Sequence, residues 1–209
     1  MKTPKELIEF VRAEYWLNEK HAHGGLETLH AVEYIDCVEW MRKVNETTPL
    51  TNFIEIGSAY GGSFHLWSTI IRGTKISIDI CGPWPCITED HMRARNKIWD
   101  SHFPCVYSVN ADSHKKKTVG RTDKILQGEL IDWLYIDATH TYEAAKTEFE
   151  MYKKFVRPGG YVGFHDIRVN ELPSLNRYWE EISAEYPSWE FGNSDGKYTN
   201  IPLIGVIQI

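Results

Sequence analysis

At 209 residues the chain has the size of one α/β domain with an N-terminal elaboration, long enough to bury a substantial core. A formal net charge of -6 argues against a bulk electrostatic hold on nucleic acid or an anionic membrane. No stretch approaches the roughly 18 uninterrupted apolar residues of a membrane span, and residues 1–6 lack the apolar core of a signal peptide, so a cytoplasmic protein is expected.

The first helix starts at Thr3-Pro4, a capping hydroxyl followed by proline. Leu7, Ile8, Phe10, Val11, Tyr15 and Trp16 then recur at helical spacing. Residues 19–25 (EKHAHGG) break the pattern, and a second helix is predicted over 26–44, with Leu29, Val32, Ile35, Val38 and Met41 on its apolar side. Both helices precede the first strand, so they pack outside the repeating unit, in a position to cover a site's mouth. They define an N-terminal helical cap over 1–50, ahead of a main domain over 51–209.

From residue 52 strands and helices alternate: strand 53–56, helix 61–71, strand 75–80, and a helix over 87–103 expected to carry Arg93, Arg95 and Lys97 outward. Strand 105–110, a polar helix within 113–127, strand 133–136, helix 142–155 and strand 161–164 follow. This grammar predicts a parallel sheet with helices on both faces. A helix over 172–186 then leads to Trp189-Glu190-Phe191, the turn-rich NSDGKYTN and the apolar run 201–209, which together predict an antiparallel hairpin at the sheet's end. Lys115 to Lys117 read as a solvated helix face. Cys37, Cys81, Cys86 and Cys105 show neither CxxC spacing nor disulfide-scaffold density, and are expected as thiols.

Three strand ends describe a nucleoside pocket. The first runs into Gly57-Ser58-Ala59-Tyr60-Gly61-Gly62-Ser63, a turn whose glycines let backbone amides approach a ligand. Its G-x-x-x-G-G spacing is not the dinucleotide fingerprint G-x-G-x-x-G, which disfavours a nicotinamide or flavin enzyme. Asp79 closes the second strand, where an acid commonly binds ribose hydroxyls, and Asp112 with Ser113 follows the third. Ordinary turn chemistry accounts for each of these singly; their order carries the reading. Over 131–167 two neighbouring strands end in Asp137 and His140, then in His165 and Asp166, placing two carboxylates and two imidazoles on one rim.

The segments FIEIGSAYGGS, ISIDI, NADSH, YIDATHTYEAAKTEFEMYKKFVRPGGYVGFHDI and IPLIGVIQI resemble the class I S-adenosylmethionine-dependent methyltransferases. Within them the chain is similar to methyltransferase family 24, a group with cephalosporin-hydroxylase-like proteins and metal-dependent sugar O-methyltransferases of macrolide biosynthesis. The resemblance covers about 52–209. It implies a Rossmann-like three-layer αβα sandwich with a seven-stranded, mostly parallel sheet in the order 3-2-1-4-5-7-6, its last strand antiparallel.

The resemblance further implies S-adenosyl-L-methionine as cofactor, held by Glu55, Gly57, Ser58, Tyr60, Gly61 and Ser63 around the methionine, Asp79 at the ribose, Asp112 and Ser113 at the adenine, and Asp137 close by. Asp137, His165 and Asp166 match positions that hold a divalent cation such as Mg²⁺ in metal-dependent relatives, although His165 replaces a carboxylate and Mg²⁺ prefers oxygen ligands. His140, with Asp137, is the candidate for base catalysis on a hydroxyl. The bland alternative has Asp137 capping the next helix and His140 bonded to a backbone carbonyl. The implied partner is a small-molecule acceptor, a sugar or glycan among the options, and a homo-oligomer stays open. The function that the resemblance implies is a divalent-metal-assisted O-methyltransferase methylating a hydroxyl of a sugar or small natural product; the alternatives are a cofactor-binding module without turnover and a metal-independent methyltransferase using His140 as base. His21 and His23 read as exposed more readily than as ligands, and Tyr142 as packing at a helix start. Trp84 is a candidate pocket wall, and Trp99, Trp179 and Trp189 are expected in the core.

Overall fold

Strand β1 (Phe53–Ile56) is buried at all four residues because it lies between two parallel neighbours and under helices on both faces. The structure, a computed structural model, describes residues 2–16, 31–80, 88–192 and 202–209. The N-terminal segment supplies α1 (Pro4–Trp16) and α2 (Ala31–Thr47). After β1 come α3 (Gly62–Ser68), β2 (Lys75–Asp79), α4 (Glu89–His102), β3 (Val106–Asn110), α5 (Lys116–Leu126) and β4 (Ile131–Ile136). Next are α6 (Tyr142–Tyr152), a 3-10 turn at Lys153–Phe155, β5 (Val156–His165), α7 (Pro173–Glu185), β6 (Ser188–Gly192) and β7 (Pro202–Gln208).

The sheet has seven strands in the order β3-β2-β1-β4-β5-β7-β6, with β7 antiparallel to both β5 and β6. Strand alternation divides the core. Phe53, Trp133 and Tyr135 face α1 to α4, sharing a cluster with Leu7, Val11, Val38, Trp67 and Trp99. Ile54, Ile56, Leu134 and Ile136 face α5 to α7, with Phe149, Tyr152 and Trp179. The N-terminal helices are therefore part of the main core, α1 against α2 and α3, and α2 against β6 and β7.

Several bounds differ from the sequence expectations. Helix α3 stops at Ser68, α6 passes into the 3-10 turn at Lys153, and β5 begins at Val156, so the Arg-Pro-Gly-Gly run lies inside the strand. Helix α2 continues to Thr47, and the expected start at 26–30 lies outside the described residues, as do the NSDGKYTN turn, His21, His23, Trp84, Cys81 and Cys86. Trp189 is only partly buried, whereas Trp99 and Trp179 are in the core as expected. Arg95 requires a correction: it points inward, buried against the end of β2, because it sits one turn before Trp99 on the stripe that α4 turns to the sheet. No helix among the described residues is long and apolar enough to cross a membrane.

Candidate active site

The glycine turn is shaped by the protein around it. Gly57 and Gly61 have φ of 87° and 92°, and Ala59 also lies in the left-handed region. A Cβ on Gly57 would fall 2.0 Å from the Asp137 carbonyl oxygen, so glycine here lets the turn after β1 touch the loop after β4. A Cβ on Gly61 would fall 2.4 Å from the Trp99 ring, whose Nε1 donates to the Gly61 carbonyl. Asp79 braces the turn as well: its Oδ2 accepts from Ala59 N at 2.6 Å and from Arg95 Nη1 at 3.0 Å, and Oδ1 accepts from Ile80 N.

Alternation puts Glu55 on the same sheet face as Phe53, inside the core and beneath the turn. Ser63 Oγ donates to Glu55 Oε1 at 2.8 Å, while Oε2 is buried with no hydrogen-bond partner among the described residues. Burial pushes the Glu55 carboxyl up to about 8, the Ser63 hydrogen bond opposing and the Asp137 charge adding. Ser58 is buried and accepts from Ser77 Oγ, and the Tyr60 ring lies 5.4 Å from that of His91. Beneath the turn, Glu55 offers one unsatisfied oxygen in a buried setting that keeps it protonated, and a cationic group such as a sulfonium or an amine brought against it would favour its ionised form.

At the next strand end Asp112 Oδ1 accepts from His114 N, a bond that with nearby Lys115 holds its carboxyl below the usual range. Ser113 is anchored from α6, its Oγ donating to Glu148 Oε1 at 2.6 Å and its carbonyl accepting from Tyr152 OH. Glu148 was not foreseen. It is almost fully buried, and burial raises its pKa. Its spacing from Ala144, Ala145 and Tyr152, all on the inner side of α6, was the available signal.

The rim comes together. His140 Nε2 lies 3.3 Å from Asp137 Oδ1 and 3.4 Å from Asp166 Oδ2. His165 Nδ1 lies 3.5 Å from Asp137 Oδ1 and 3.2 Å from Asp166 Oδ1. Asp166 reaches inward from a left-handed backbone, φ 57°, at the end of β5. The hydrogen bond that His140 Nε2 donates to Asp137, helped by the Asp166 charge, raises the His140 pKa above its ordinary value. The capping alternative for Asp137 fails because Thr141 caps α6, its side chain accepting from Ala144 N. Tyr142 packs on Tyr178 and donates to Glu181, as a helix-start packing residue would. Among the described residues no group of three or more His, Cys, Asp or Glu is arranged to hold a metal ion; the nitrogens and oxygens at the rim pair with each other.

The comparisons agree with this architecture. A family model described as a methyltransferase domain matches residues 54–167, more than half of the chain. The uncharacterized protein R132 of Acanthamoeba polyphaga mimivirus is 27% identical over 221 residues, covering 98% of this chain and 94% of that protein. Among solved structures, the O-methyltransferase from Bacillus cereus in complex with SAH aligns with a TM-score of 0.62 at 15% identity, over 97% of this chain and 90% of that one. CalS11, a TDP-rhamnose 3'-O-methyltransferase of calicheamicin biosynthesis, aligns at 0.61 and 13% identity, over 100% and 96%. With the strand order and the strand-end site described above, the chain belongs to the methyltransferase domain family, as a class I S-adenosylmethionine-dependent methyltransferase.

Proposed function

We propose that this methyltransferase acts on a hydroxyl oxygen of a small acceptor, a sugar or another small natural product, with His140 as the general base. One observation carries the reading: His140 Nε2 is flanked by Asp137 and Asp166 at 3.3 and 3.4 Å, beside the Gly57 turn. The sugar class is supported by the likeness to CalS11, described as a TDP-rhamnose methyltransferase.

S-adenosylmethionine, when bound, supplies a methyl group activated by its sulfonium. Glu55, Gly57, Ser58, Tyr60, Gly61 and Ser63 would surround its methionine part, with Asp79 at the ribose and Asp112 and Ser113 at the adenine. The two carboxylates favour a proton on His140 Nε2, which leaves Nδ1 as the atom that accepts the hydroxyl proton. As that proton arrives, Asp137 and Asp166 stabilise the imidazolium. The histidine is about one-third exposed, enough for an acceptor to reach it.

A divalent cation on Asp137, His165 and Asp166 does not fit the rim as it stands. Its imidazole nitrogens face its carboxylates at 3.2 to 3.5 Å, so the side chains pair with one another, and no group of three or more His, Cys, Asp or Glu among the described residues is arranged to hold a cation. The test is methyl transfer from labelled S-adenosylmethionine to a panel of sugars, nucleotide sugars and phenols, before and after exhaustive EDTA treatment. Transfer that survives chelation and is lost in His140→Gln is expected. Transfer abolished by EDTA and restored by Mg²⁺ would replace the histidine base with the metal-assisted reading. A chain that binds S-adenosylhomocysteine but methylates no hydroxyl in the panel would sink the acceptor class.

A further inference from the structure

We propose that Tyr34, carried by α2 ahead of the matched methyltransferase region, is a positioning residue for the reaction: its ring fixes the His165 imidazole and, through it, the carboxylates that orient His140. The proposal rests on the reading of His140 given above. Tyr34 is almost fully buried, and its ring stacks on His165 with centroids 6.0 Å apart and planes 28° from parallel. Tyr135, from β4, meets the same imidazole edge-on at 6.4 Å. The two tyrosine hydroxyls lie 3.2 Å apart, within hydrogen-bond reach, and Trp67 packs against both rings.

The geometry leaves His165 little freedom. A ring held flat against one aromatic and edge-on to another cannot rotate about χ2 without losing both contacts. Its Nδ1 therefore stays between Asp137 Oδ1 and Asp166 Oδ1, whose carboxylates also meet His140 Nε2. The contacts form a continuous path, Tyr34 to His165 to the two carboxylates to His140, joining the N-terminal helix to the proposed base. Tyr34 itself is too buried to touch an acceptor, so it acts through the others. A small displacement of a reacting group is costly in rate even when binding is unchanged.

The experiment uses the full chain with isotopically labelled histidine and reads imidazole nitrogen signals by NMR, in the presence of S-adenosylhomocysteine. Signals are assigned by the loss of one set in His165→Gln and of another in His140→Gln. The expected wild-type spectrum shows His165 as one tautomer with its proton on Nδ1. Tyr34→Phe keeps the ring and keeps that signature. Tyr34→Leu loses it, His165 averages between tautomers, and the His140 signals move too, while S-adenosylhomocysteine affinity is unchanged. Should the leucine variant fail to fold, Tyr34→Met, which also removes the ring, is read in its place. An unchanged pair of histidine signatures in the ring-less variant, or an averaged His165 in the wild type, would overturn the proposal. Failure of the wild type to methylate any hydroxyl would sink the function proposed above and still leave these spectra to decide the role of Tyr34.

Discussion

Arg95 Nη1 lies 3.0 Å from Asp79 Oδ2, and the same nitrogen donates to the Ala59 carbonyl. The guanidinium also sits over the Trp99 ring, 4.9 Å from its centroid, and both partners of the ion pair are nearly buried. One side chain on α4 thus ties together the end of β2, the middle of the glycine turn and the aromatic under Gly61. Asp79, the acid expected at a ribose, is therefore also a structural anchor of the turn.

Arg95→Met should accordingly damage both stability and cofactor binding. Removing one partner of a buried pair leaves an uncompensated charge and costs about 3–5 kcal/mol. Urea denaturation should show a loss of that order, and calorimetry should show S-adenosylhomocysteine binding weakened by about tenfold or more. Arg95→Lys should rescue only part, since an ammonium on a shorter reach does not reproduce the planar guanidinium that lies over Trp99 while its Nη1 meets the Asp79 and Ala59 oxygens. A methionine variant as stable and as tight-binding as the wild type would show that the turn stands without this brace.

The same side chain marks a limit of sequence reading. Strands such as FIEI and WLYI were legible because a strand covered on both faces is a short apolar run, and their polar ends gave Asp79, Asp137 and Asp166 directly. Arg95 was read outward from its charge, although its spacing from Met92 and Trp99 places it on the inner stripe of α4. The three-residue step from Asp137 to His140 anticipated one contact, whereas Asp166 reaches His140 across neighbouring strands. Tyr34 had no local signal at all, because its partner His165 is brought to it only by the packing of α2 on the sheet.

With His140 as the proposed base, its raised pKa predicts a signed pH dependence for the reaction. The base must be neutral to act, so turnover should rise with pH through a value above the ordinary 6.5 and level off beyond it. Asp166→Asn removes one of the two charges that favour the imidazolium, and the rising limb should move to lower pH. His140→Gln should lower kcat by about two to four orders of magnitude while leaving S-adenosylhomocysteine affinity unchanged. A limb that stays in place in Asp166→Asn would mean that a group other than His140 titrates.

Glu55 makes stability depend on pH in the opposite sense to an ordinary paired carboxylate. Its folded pKa is about 8 against an ordinary 4.5, so between those values the unfolded chain ionises while the native chain keeps its proton. Stability is therefore fullest below 4.5 and declines as pH rises through 8. Three and a half units at about 1.4 kcal/mol each set an upper bound of about 5 kcal/mol. Glu55→Gln keeps a group able to bond Ser63 without the charge, and its unfolding free energy should fall much less than the wild type's over that range. Parallel pH profiles for the two proteins, measured by chemical denaturation, would remove Glu55 as the source of the decline.

Gly57 connects the two halves of the site through its missing side chain. At φ 87° any other residue is strained, by roughly 1–2 kcal/mol for a left-handed backbone. The larger penalty comes from contact, since a Cβ 2.0 Å from the Asp137 carbonyl oxygen can be accommodated only by pushing that backbone away. Gly57→Ala should then shift Asp137 relative to His140 as well as distort the glycine turn proposed to hold the cofactor. Its signature is a fall in turnover at saturating S-adenosylmethionine on top of the loss in S-adenosylhomocysteine affinity. Gly120→Ala, in α5 with nothing within 4 Å of its new Cβ, is the control and should gain about 0.5–1 kcal/mol from helix propensity. If Gly57→Ala weakens binding but turns over at the wild-type rate once saturated, the turn and the rim are energetically separate, and the close approach of β1 to β4 serves packing alone.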